Sequence, residues 1–530
     1  MKATTLRAFL AVHTWVGLVS GMLLFIAFYA GAVTVFVHEL QGWERPVAAA
    51  PPQAEAFAQA QALVDDVVAR HPDAAHSLYL LLPGEHGPRP ALYWYSETTG
   101  RQRRFEPAPD APAGFVEVPP RGGFVDFIYD LHFTAGLPRT LGTYLFGIAC
   151  ILYGLALVSG VVIYAPVFLK DLFALRIGRN LKRMWQDAHN VVGLLSLPFH
   201  VIFAWSGAVL TIGFLMLAPF QFLVFDNTLM RILETDFDIA PHVEPAKVAR
   251  PTLPVSELVR RARIALPGLQ VESLSYHDAG DANAQVTAYG ELPQRRLNHL
   301  GGVAMNGASG DVVNALGPKD FPPGMAMLRG LQVLHFGSFG GMAVKWLYFV
   351  LGLAGAFLFY SGNLLWIESR RKRRQVAQPK RTRLVAGLTI GVCLGCVAGV
   401  SAVFLAAALL QRSGGSPAWI PRTYWLVFLA AAGWAFLRRP ARAAHELLWL
   451  CALLTAAIPL AGWIGSGEHL FAAAMRGHWH RFGIDATALA MAVVFRRMAI
   501  ATLRRASDGD PNSLWALPAR APTRTPAPGA

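Results

Sequence analysis

The sequence predicts an α-helical integral membrane protein made of two repeated two-span units, each with an inserted periplasmic α+β domain, and a C-terminal four-helix membrane bundle. The chain has 530 residues, of which 54% are hydrophobic and 15% charged, a composition too apolar for a soluble protein of this size. Apolar runs recur that are long enough to cross about 30 Å of hydrocarbon. Short basic runs separate them, so the net charge of +14 indicates membrane topology and no nucleic-acid partner.

Apolar runs predict eight spans, at 13–37, 141–168, 190–218, 342–367, 384–410, 422–437, 443–465 and 483–500. The first is interpreted as a span and not as a cleaved signal peptide, because it continues through Val33 and Phe36. With flanking residues, the predicted domains are a span at 1–39, an outer α+β domain at 40–125, a span at 126–169, a cytoplasmic loop at 170–186, a span at 187–220, a second outer α+β domain at 221–328, a span at 329–368, a basic cytoplasmic loop at 369–383, four further spans within 384–503, and a disordered cytoplasmic tail at 504–530.

The basic residues predict the orientation of the chain. They cluster at Lys170, Arg176, Arg179, Lys182 and Arg183, at 370–374, at Arg438 and Arg439, and at Arg496 and Arg497. All clusters lie on one side if the N-terminus is cytoplasmic, and both termini are then cytoplasmic. Both long polar insertions then face outward, which in a bacterial inner membrane is the periplasm. The four cysteines lie inside apolar segments, so no disulfide framework is expected.

The membrane segments repeat in pairs. "HTWVG" at 13–17 matches "HNVVG" at 189–193. The second span of each pair opens with a histidine, His132 or His335, and ends in Ser-Gly. This self-similarity indicates a duplicated unit of span, outer domain and span. Residues 384–500 show no such repeat and are interpreted as an added bundle of four helices.

The repeated histidines predict a cofactor site. His13 and His189 lie at the cytoplasmic ends of corresponding helices, and His132 and His335 share the outer end. Imidazoles are costly in hydrocarbon, so four in register indicate a function. Two pairs of histidines, each pair at one membrane depth, can hold two haems among four helices. Each iron would bind one imidazole from each of two helices. The haems would be b-type, because the sequence has no C-x-x-C-H tract for covalent attachment.

His200 has no counterpart, because the matching position of the first span is Leu24. It is eleven residues from His189, or about 16 Å along a helix, so the two cannot meet one iron. His200 is a weaker candidate, as a substitute ligand, a propionate partner or a proton relay. Asp187 either orients His189 or caps its helix. His38 is expected to be a solvated interfacial residue. The expectation for His469, His478 and His480 is a solvated outer loop, with a metal or substrate contact as the alternative. Arg121 and Arg139 could contact haem propionates or an anionic ligand, although topology and lipid headgroups suffice to explain them.

Five segments resemble the PepSY-associated transmembrane helix family over about residues 1–370. They are "HTWVG", "DLHFTAGLPRTLG", "DAHNVVGLLSLPFHVIFAWSG", "VLHFGSFGGMAVKWLYFVLGLAGAFLFYSGNLLWIE" and "NGASGDVV". The resemblance extends to ferrioxamine-type reductases, and implies an inner-membrane protein with two b-type haems that reduces ferric siderophores at the periplasmic face. It implies that His13, His189, His132 and His335 are the axial ligands and that both inserts are PepSY-like domains.

The chemistry agrees with a reductase, because hard oxygen ligands hold ferrous iron more weakly than ferric iron. The sequence has no dinucleotide, Walker or flavin motif, so electrons are expected from a separate donor, either a quinol or a cytoplasmic reductase. Two other interpretations stay open. One is a siderophore or metal-chelate permease without redox activity. The other is a peptide-binding or protease-inhibiting PepSY module for which the spans are only anchors.

Overall fold

The computed structural model describes residues 3–44, 51–84, 87–108, 114–118, 123–168, 175–176, 180–237, 239–240, 243–293, 297–372, 374–375, 377–510 and 512–517. Its helices are α1 (Ala3–Thr34), α2 (Val37–Glu44), α3 (Gln53–Arg70), α4 (Phe124–Thr134), α5 (Arg139–Tyr164), α6 (Leu181–Leu195), α7 (Leu197–Leu223), α8 (Leu229–Phe237), α9 (Val255–Ala265), α10 (Pro323–Phe336), α11 (Gly341–Ser369), α12 (Lys380–Ser413), α13 (Trp419–Leu437), α14 (Pro440–Ala456), α15 (Ile458–Ser466), α16 (Leu470–Met475) and α17 (Trp479–Asp508). Its strands are β1 (Ser77–Leu81), β2 (Ala91–Ser96), β3 (Arg101–Pro107), β4 (Phe115–Val118), β5 (Gln270–His277), β6 (Gln285–Glu291), β7 (Leu300–Asn306) and β8 (Val312–Leu316).

The described residues contain eight helical segments that are long and apolar enough to cross a membrane. They are α1, α5, α7, α11, α12, α13, the continuous pair α14–α15, and α17. These segments match the eight predicted spans in number and order. The protein is therefore an α-helical membrane protein with a smaller β-sheet part.

A separate short helix precedes two of the long helices. After α4, Ala135 and Gly136 adopt left-handed φ values of 54° and 74°, and α5 starts beyond Pro138. After α10, Gly337 (φ 66°) ends the helix in the same way and α11 follows. A left-handed residue stops the helical hydrogen-bond ladder. The spans predicted at 141–168 and 342–367 therefore correspond to α5 and α11, and the flanking residues included at 126–169 and 329–368 contain a separate short helix and a turn.

The third predicted span, 187–220, is also divided. Helix α6 ends at Leu195, Ser196 has the non-helical angles φ −98° and ψ 10°, and α7 begins at Leu197. Pro198 explains the break, because it has no N–H to donate to the carbonyl of Leu194. His189 therefore lies on α6, whereas His200 lies on α7.

The C-terminal tail also differs from the prediction of disorder at 504–530. Helix α17 continues to Asp508, and Leu514 is 9% exposed in a cluster with Leu364, Ile367 and Ala386. The described part of the tail around Leu514 therefore packs against α11 and α12. Residues 518–530 lie outside the described residues, as does Arg121.

The chain divides into two compact units. The first contains 1–45, 123–212 and 346–530, and the second contains 46–122 and 213–345. In the first unit, α1 packs against α4 and α5, and α12 is the central helix of the C-terminal bundle. Glycines allow close approach there, since a Cβ added at Gly391 would lie 2.9 Å from the Cα of Ala432.

The second unit is built on one antiparallel sheet with the strand order β4-β3-β2-β1-β5-β6-β7-β8. Each insert supplies a helix followed by four strands, which agrees with the predicted α+β character. The inserts join through β1 and β5, where Leu80 pairs with Leu274. Both leucines are fully buried in a core shared with residues of α3 and α9. The inserts were predicted as two domains, and the structure unites them in one sheet and one core.

Candidate functional site

His13 on α1 and His189 on α6 form a pair inside the first unit. Their ring centres are 6.1 Å apart and their planes are inclined at 81°. Both side chains are half-buried. The structure therefore brings together two histidines that the repeat predicts at one membrane depth.

Main-chain carbonyls orient both rings. His13 Nδ1 lies 2.9 Å from the carbonyl oxygen of Ala156 on α5. His189 Nδ1 lies 3.1 Å from the carbonyl oxygen of Leu358 on α11. A carbonyl only accepts hydrogen bonds, so each Nδ1 carries the proton and donates it. The Nε2 lone pair of each neutral ring is then the one available to a metal, in the pattern of metal-binding histidines that donate their other N–H to a carbonyl.

A serine and a glycine accompany each carbonyl. Ser159 Oγ and Ser361 Oγ each lie 3.4 Å from Nδ1 of the adjacent histidine, His13 and His189 respectively. A Cβ added at Gly160 would lie 3.1 Å from His13 Cε1, and one at Gly362 would lie 3.2 Å from His189 Cε1. Each imidazole therefore lies against glycine backbone at the Ser-Gly step of a long helix.

The separation of the two rings fits a shared iron. Imidazole–metal bonds are about 2 Å long, and the ring centre lies about 1.1 Å from the nitrogen, so two axial imidazoles place their centres about 6 Å apart. The observed 6.1 Å agrees with this value. No group of three or more His, Cys, Asp and Glu side chains in the described part of the chain could hold a bare metal ion. A haem needs only two protein ligands, because the macrocycle supplies the rest.

His132 on α4 has the same type of contact at another level of the bundle. Its Nδ1 donates to the carbonyl oxygen of Ala27 on α1 at 2.8 Å. A Cβ at Gly31 would lie 2.8 Å from its ring atoms. Ala27 follows His13 by fourteen residues on one helix, which is about 21 Å of rise. His132 thus marks a second level, far from the first along α1.

His335 belongs to the second unit. It is the penultimate residue of α10, next to the turn at Gly337, and its ring contacts Phe336 with centres 5.4 Å apart. His132 likewise lies in the last turn of its short helix, α4. The pairing of His132 with His335 stays a prediction.

His200 is fully buried and both of its ring nitrogens are hydrogen-bonded. Nδ1 bonds the hydroxyl of Tyr153, and Nε2 lies 2.9 Å from Ser196 Oγ. The ring also contacts Phe28 and Phe199. Ligation by His200 would require one of these hydrogen bonds to break, so the structure favours a satisfied core imidazole.

Four of the other polar candidates have structural partners. Asp187 accepts from Arg176 Nε and Nη2 at 2.8 Å each, which joins residue 176 to α6 two residues before His189. His469 caps α16 by accepting from Ala472 N, and His478 Nδ1 lies 2.9 Å from Glu468. Arg139 Nη2 lies 3.7 Å from Asp130 Oδ1, and the guanidinium lies over the ring of Phe133.

The sequence analysis missed His445 on α14, whose Nδ1 donates to the carbonyl oxygen of Ala499 at 2.9 Å. This is the contact that His13, His189 and His132 also make. Among the described residues, however, no histidine ring faces His445. A carbonyl-bonded Nδ1 alone therefore does not single out a site. What distinguishes His13 and His189 is the second imidazole, whose ring centre lies 6.1 Å away.

The fold and this site define an α-helical membrane protein with a histidine pair inside its helix bundle. The chain belongs to the family described as the PepSY-associated TM region, whose model matches residues 10–369. The C-terminal bundle lies beyond the matched residues. An uncharacterized protein of Pseudomonas aeruginosa is 26% identical over 410 residues, which is 72% of this chain and 96% of that protein.

Proposed function

We propose that this protein is a di-haem electron carrier of the bacterial inner membrane that reduces ferric siderophores at the periplasmic face. The observation that carries the proposal is the pair of His13 and His189, whose ring separation and Nδ1 contacts suit a shared haem iron. One haem is assigned to this pair. The second is assigned to His132 with His335, by the correspondence of the two halves of the chain.

The family and the helices support a membrane protein, and internal duplication adds to the case for two sites. Each half has a histidine helix, an insert, and a short helix with a histidine before a long helix that contains a Ser-Gly step in its C-terminal part. His13 bonds the segment at Ala156–Gly160, and His189 bonds the corresponding segment at Leu358–Gly362. These matching contacts support one site to which each half contributes a histidine, and the second histidine of each half, His132 or His335, is the basis for a second site.

When bound, the haems supply reversible one-electron transfer. The residues of this chain hold and orient them. The carbonyls of Ala156 and Leu358 fix the tautomers of His13 and His189, and partial negative charge on those oxygens makes each Nε2 a stronger ligand. His132, bonded to Ala27, is oriented in the same way.

The overall reaction moves one electron to each ferric chelate, from a quinol or from a cytoplasmic reductase. A quinol becomes a quinone by giving up two electrons and releasing two protons, so one quinol would serve two chelates. The chelated iron gains that electron and becomes ferrous, and its hard oxygen ligands then hold it less tightly. In the proposed orientation the basic segments at 170–183 and 370–374 are cytoplasmic. The inserted sheet domain and the His132 end of the bundle then face the periplasm.

Haem content and single-histidine variants test this proposal. The purified protein should contain two b-type haems that dithionite reduces. Replacing His13 or His189 with alanine should remove one haem, and replacing His132 or His335 should remove the other, because each loss leaves an iron with a single protein ligand. The measurement is haem stoichiometry with the reduced-minus-oxidised spectrum.

His445→Ala is the matched control, since it removes an imidazole with the same Nδ1 contact but no facing ring. It should leave both haems in place. A colourless protein after expression with ample haem would contradict the proposal and would favour a permease. Equal haem content in all four histidine variants would contradict the ligand assignment.

A further inference from the structure

The short helix α2 links α1 to the first insert and is held by the C-terminal bundle. Its Trp43 is 1% exposed. The indole Nε1 donates to Asp485 Oδ1 on α17 at 3.4 Å. The main-chain carbonyl of Trp43 accepts from Gln411 Nε2 on α12 and from Arg481 Nη2 on α17, at 3.2 Å each. We call these three residues, Gln411, Arg481 and Asp485, the polar latch.

The polar latch contains charges that are buried in an otherwise apolar bundle. Arg481 is 5% exposed and Asp485 1% exposed. Asp485 Oδ2 has no hydrogen-bond partner in the structure, and Arg481 Nε is 3.6 Å from a carboxylate oxygen of the equally buried Glu468. Buried charges are destabilising unless well paired, so charges kept inside an apolar bundle indicate a role other than packing. A bundle that only needed to pack would be more stable with apolar residues here.

The residue after Trp43 connects this latch to the helix of His132. Glu44 Oε1 accepts from the main-chain N–H of Phe124 at 2.7 Å. Phe124 is the first residue of α4, so Glu44 satisfies one of the open N–H groups at that helix start. Gly123 makes room for the carboxylate, because a Cβ there would lie 2.6 Å from Glu44 Oε2.

The C-terminal bundle also packs on both ends of α4. The rings of Phe124 and Phe404 are 4.8 Å apart by their centres, and Phe127 and Tyr424 are 5.2 Å apart. Beyond the helix end, a Cβ at Gly136 would lie 3.1 Å from the ring of Trp425. Between these contacts α4 presents His132 to the carbonyl of Ala27.

We propose that the C-terminal bundle positions His132, through a chain of contacts that runs from the polar latch to Trp43, from Glu44 to the start of α4, and along α4 to the imidazole. Trp43 and Glu44 are positioning residues. The inference rests on the proposed function, because His132 is taken as a haem ligand. It gives the four helices beyond the family match a role: they fix the geometry and hence the redox potential of one haem.

Two variants break the same contact from opposite sides. Gly123→Ala places a methyl group where the Glu44 carboxylate lies, and Glu44→Ala removes the carboxylate. Both should lower the affinity for the His132 haem by about 10- to 100-fold, the range for lost outer partners of a metal ligand. Its midpoint potential should also shift, with the His13/His189 haem unchanged. The measurements are haem titration of the full-length protein, potentiometry of the α-band, and low-temperature EPR of the ferric form.

The matched controls are Gly42→Ala and Glu44→Gln. A Cβ at Gly42 has no atom within 4 Å, and a glutamine oxygen can accept the same N–H. Both controls should keep the wild-type potential and EPR signal. Trp43→Phe, which keeps a ring but loses the N–H donated to Asp485, should shift the His132 haem in the same direction as Glu44→Ala.

The outcomes separate this inference from the proposed function. A wild-type protein without haem overturns the proposed function. Two haems in the wild type, with both potentials unchanged in Gly123→Ala and Glu44→Ala, overturn the positioning role and leave the proposed function standing. A shift in Glu44→Ala but not in Trp43→Phe overturns the part assigned to the latch. Equal disturbance of both haems in every variant indicates general misfolding and also overturns the inference.

Discussion

A histidine whose Nδ1 donates to a main-chain carbonyl has its tautomer fixed before any metal binds. His13, His189 and His132 all have this arrangement. The glycines beside them allow it, since a side chain at the same position would push the ring away from the carbonyl. At the scale of single residues, the main-chain carbonyls and the adjacent glycines therefore define the site as much as the imidazole rings do.

Gly160→Ala should weaken haem binding at the His13/His189 site. The added Cβ would lie 3.1 Å from His13 Cε1 and would force the ring to tilt. We expect about 10-fold lower affinity for that haem, at the lower end of the range for disturbed outer partners. Gly154→Ala on the same helix is the control, because its Cβ would meet nothing within 4 Å. Equal affinities of both variants for haem would show that the ring is not constrained by this helix.

Tyr153→Phe tests the interpretation of His200. The change leaves a buried ring nitrogen without its hydroxyl partner, which should cost about 1–3 kcal/mol of unfolding free energy. The haem count should stay at two, because His200 is held as a core imidazole by Tyr153 and Ser196. Thermal unfolding and haem stoichiometry measured together check both statements. Loss of one haem would instead assign a ligand role to the Tyr153–His200 pair.

At the scale of elements, the eight spans could be predicted because length and hydropathy are local properties of the chain. The breaks between helices also have signals in the sequence, namely Gly136 and Pro138 after α4 and Pro198 after α6. These signals are easily overlooked because they lie beside or within long hydrophobic runs. The joining of β1 to β5 could not be predicted, because pairing of strands far apart in sequence depends on the tertiary arrangement, and both inserts show the same local pattern.

Leu80→Ala should destabilise both inserts at once. Leu80 is fully buried and pairs with Leu274 across the β1–β5 junction. Such a truncation costs about 2–5 kcal/mol when the cavity cannot collapse. Hydrogen–deuterium exchange of the whole protein should show lost protection in β1 and β5 together. Tyr95→Ala is the control, because Tyr95 is 64% exposed. Faster exchange confined to the first insert would mean that the inserts unfold independently.

At the scale of the whole molecule, the repeat predicted that His13 and His189 lie close together, since equal positions in duplicated units reach equal depths. The pairing of His132 with His335 stays a prediction. It did not predict what orients them. Ala156 and Leu358 contribute only their carbonyl oxygens, which every residue has, so no side chain in the sequence marks them. The contacts between the C-terminal bundle and α4 could likewise not be predicted from the sequence, because residues 384–500 have no counterpart in the repeat.

Sidedness is the property of the whole molecule that separates a siderophore reductase from a general cytochrome. In the proposed orientation, a ferric chelate receives its electron on the side of the inserts. Proteoliposomes of one orientation, reduced with dithionite and freed of excess reductant, should lose the ferrous haem spectrum when an impermeant ferric siderophore is added on that side. The same chelate on the opposite side should act much more slowly, because it then faces the cytoplasmic end.

Two controls make this experiment specific. The gallium form of the same siderophore has the same charge but cannot accept an electron, so it should leave the haems reduced on either side. The His132→Ala variant should keep the His13/His189 haem and yet transfer electrons to the chelate far more slowly, because the haem nearest the acceptor is absent. Equal rates from both sides, or oxidation by oxygen alone, would contradict siderophore reduction while leaving a transmembrane di-haem protein. The donor, and not the position of the inserted domain, would then set the direction of electron flow.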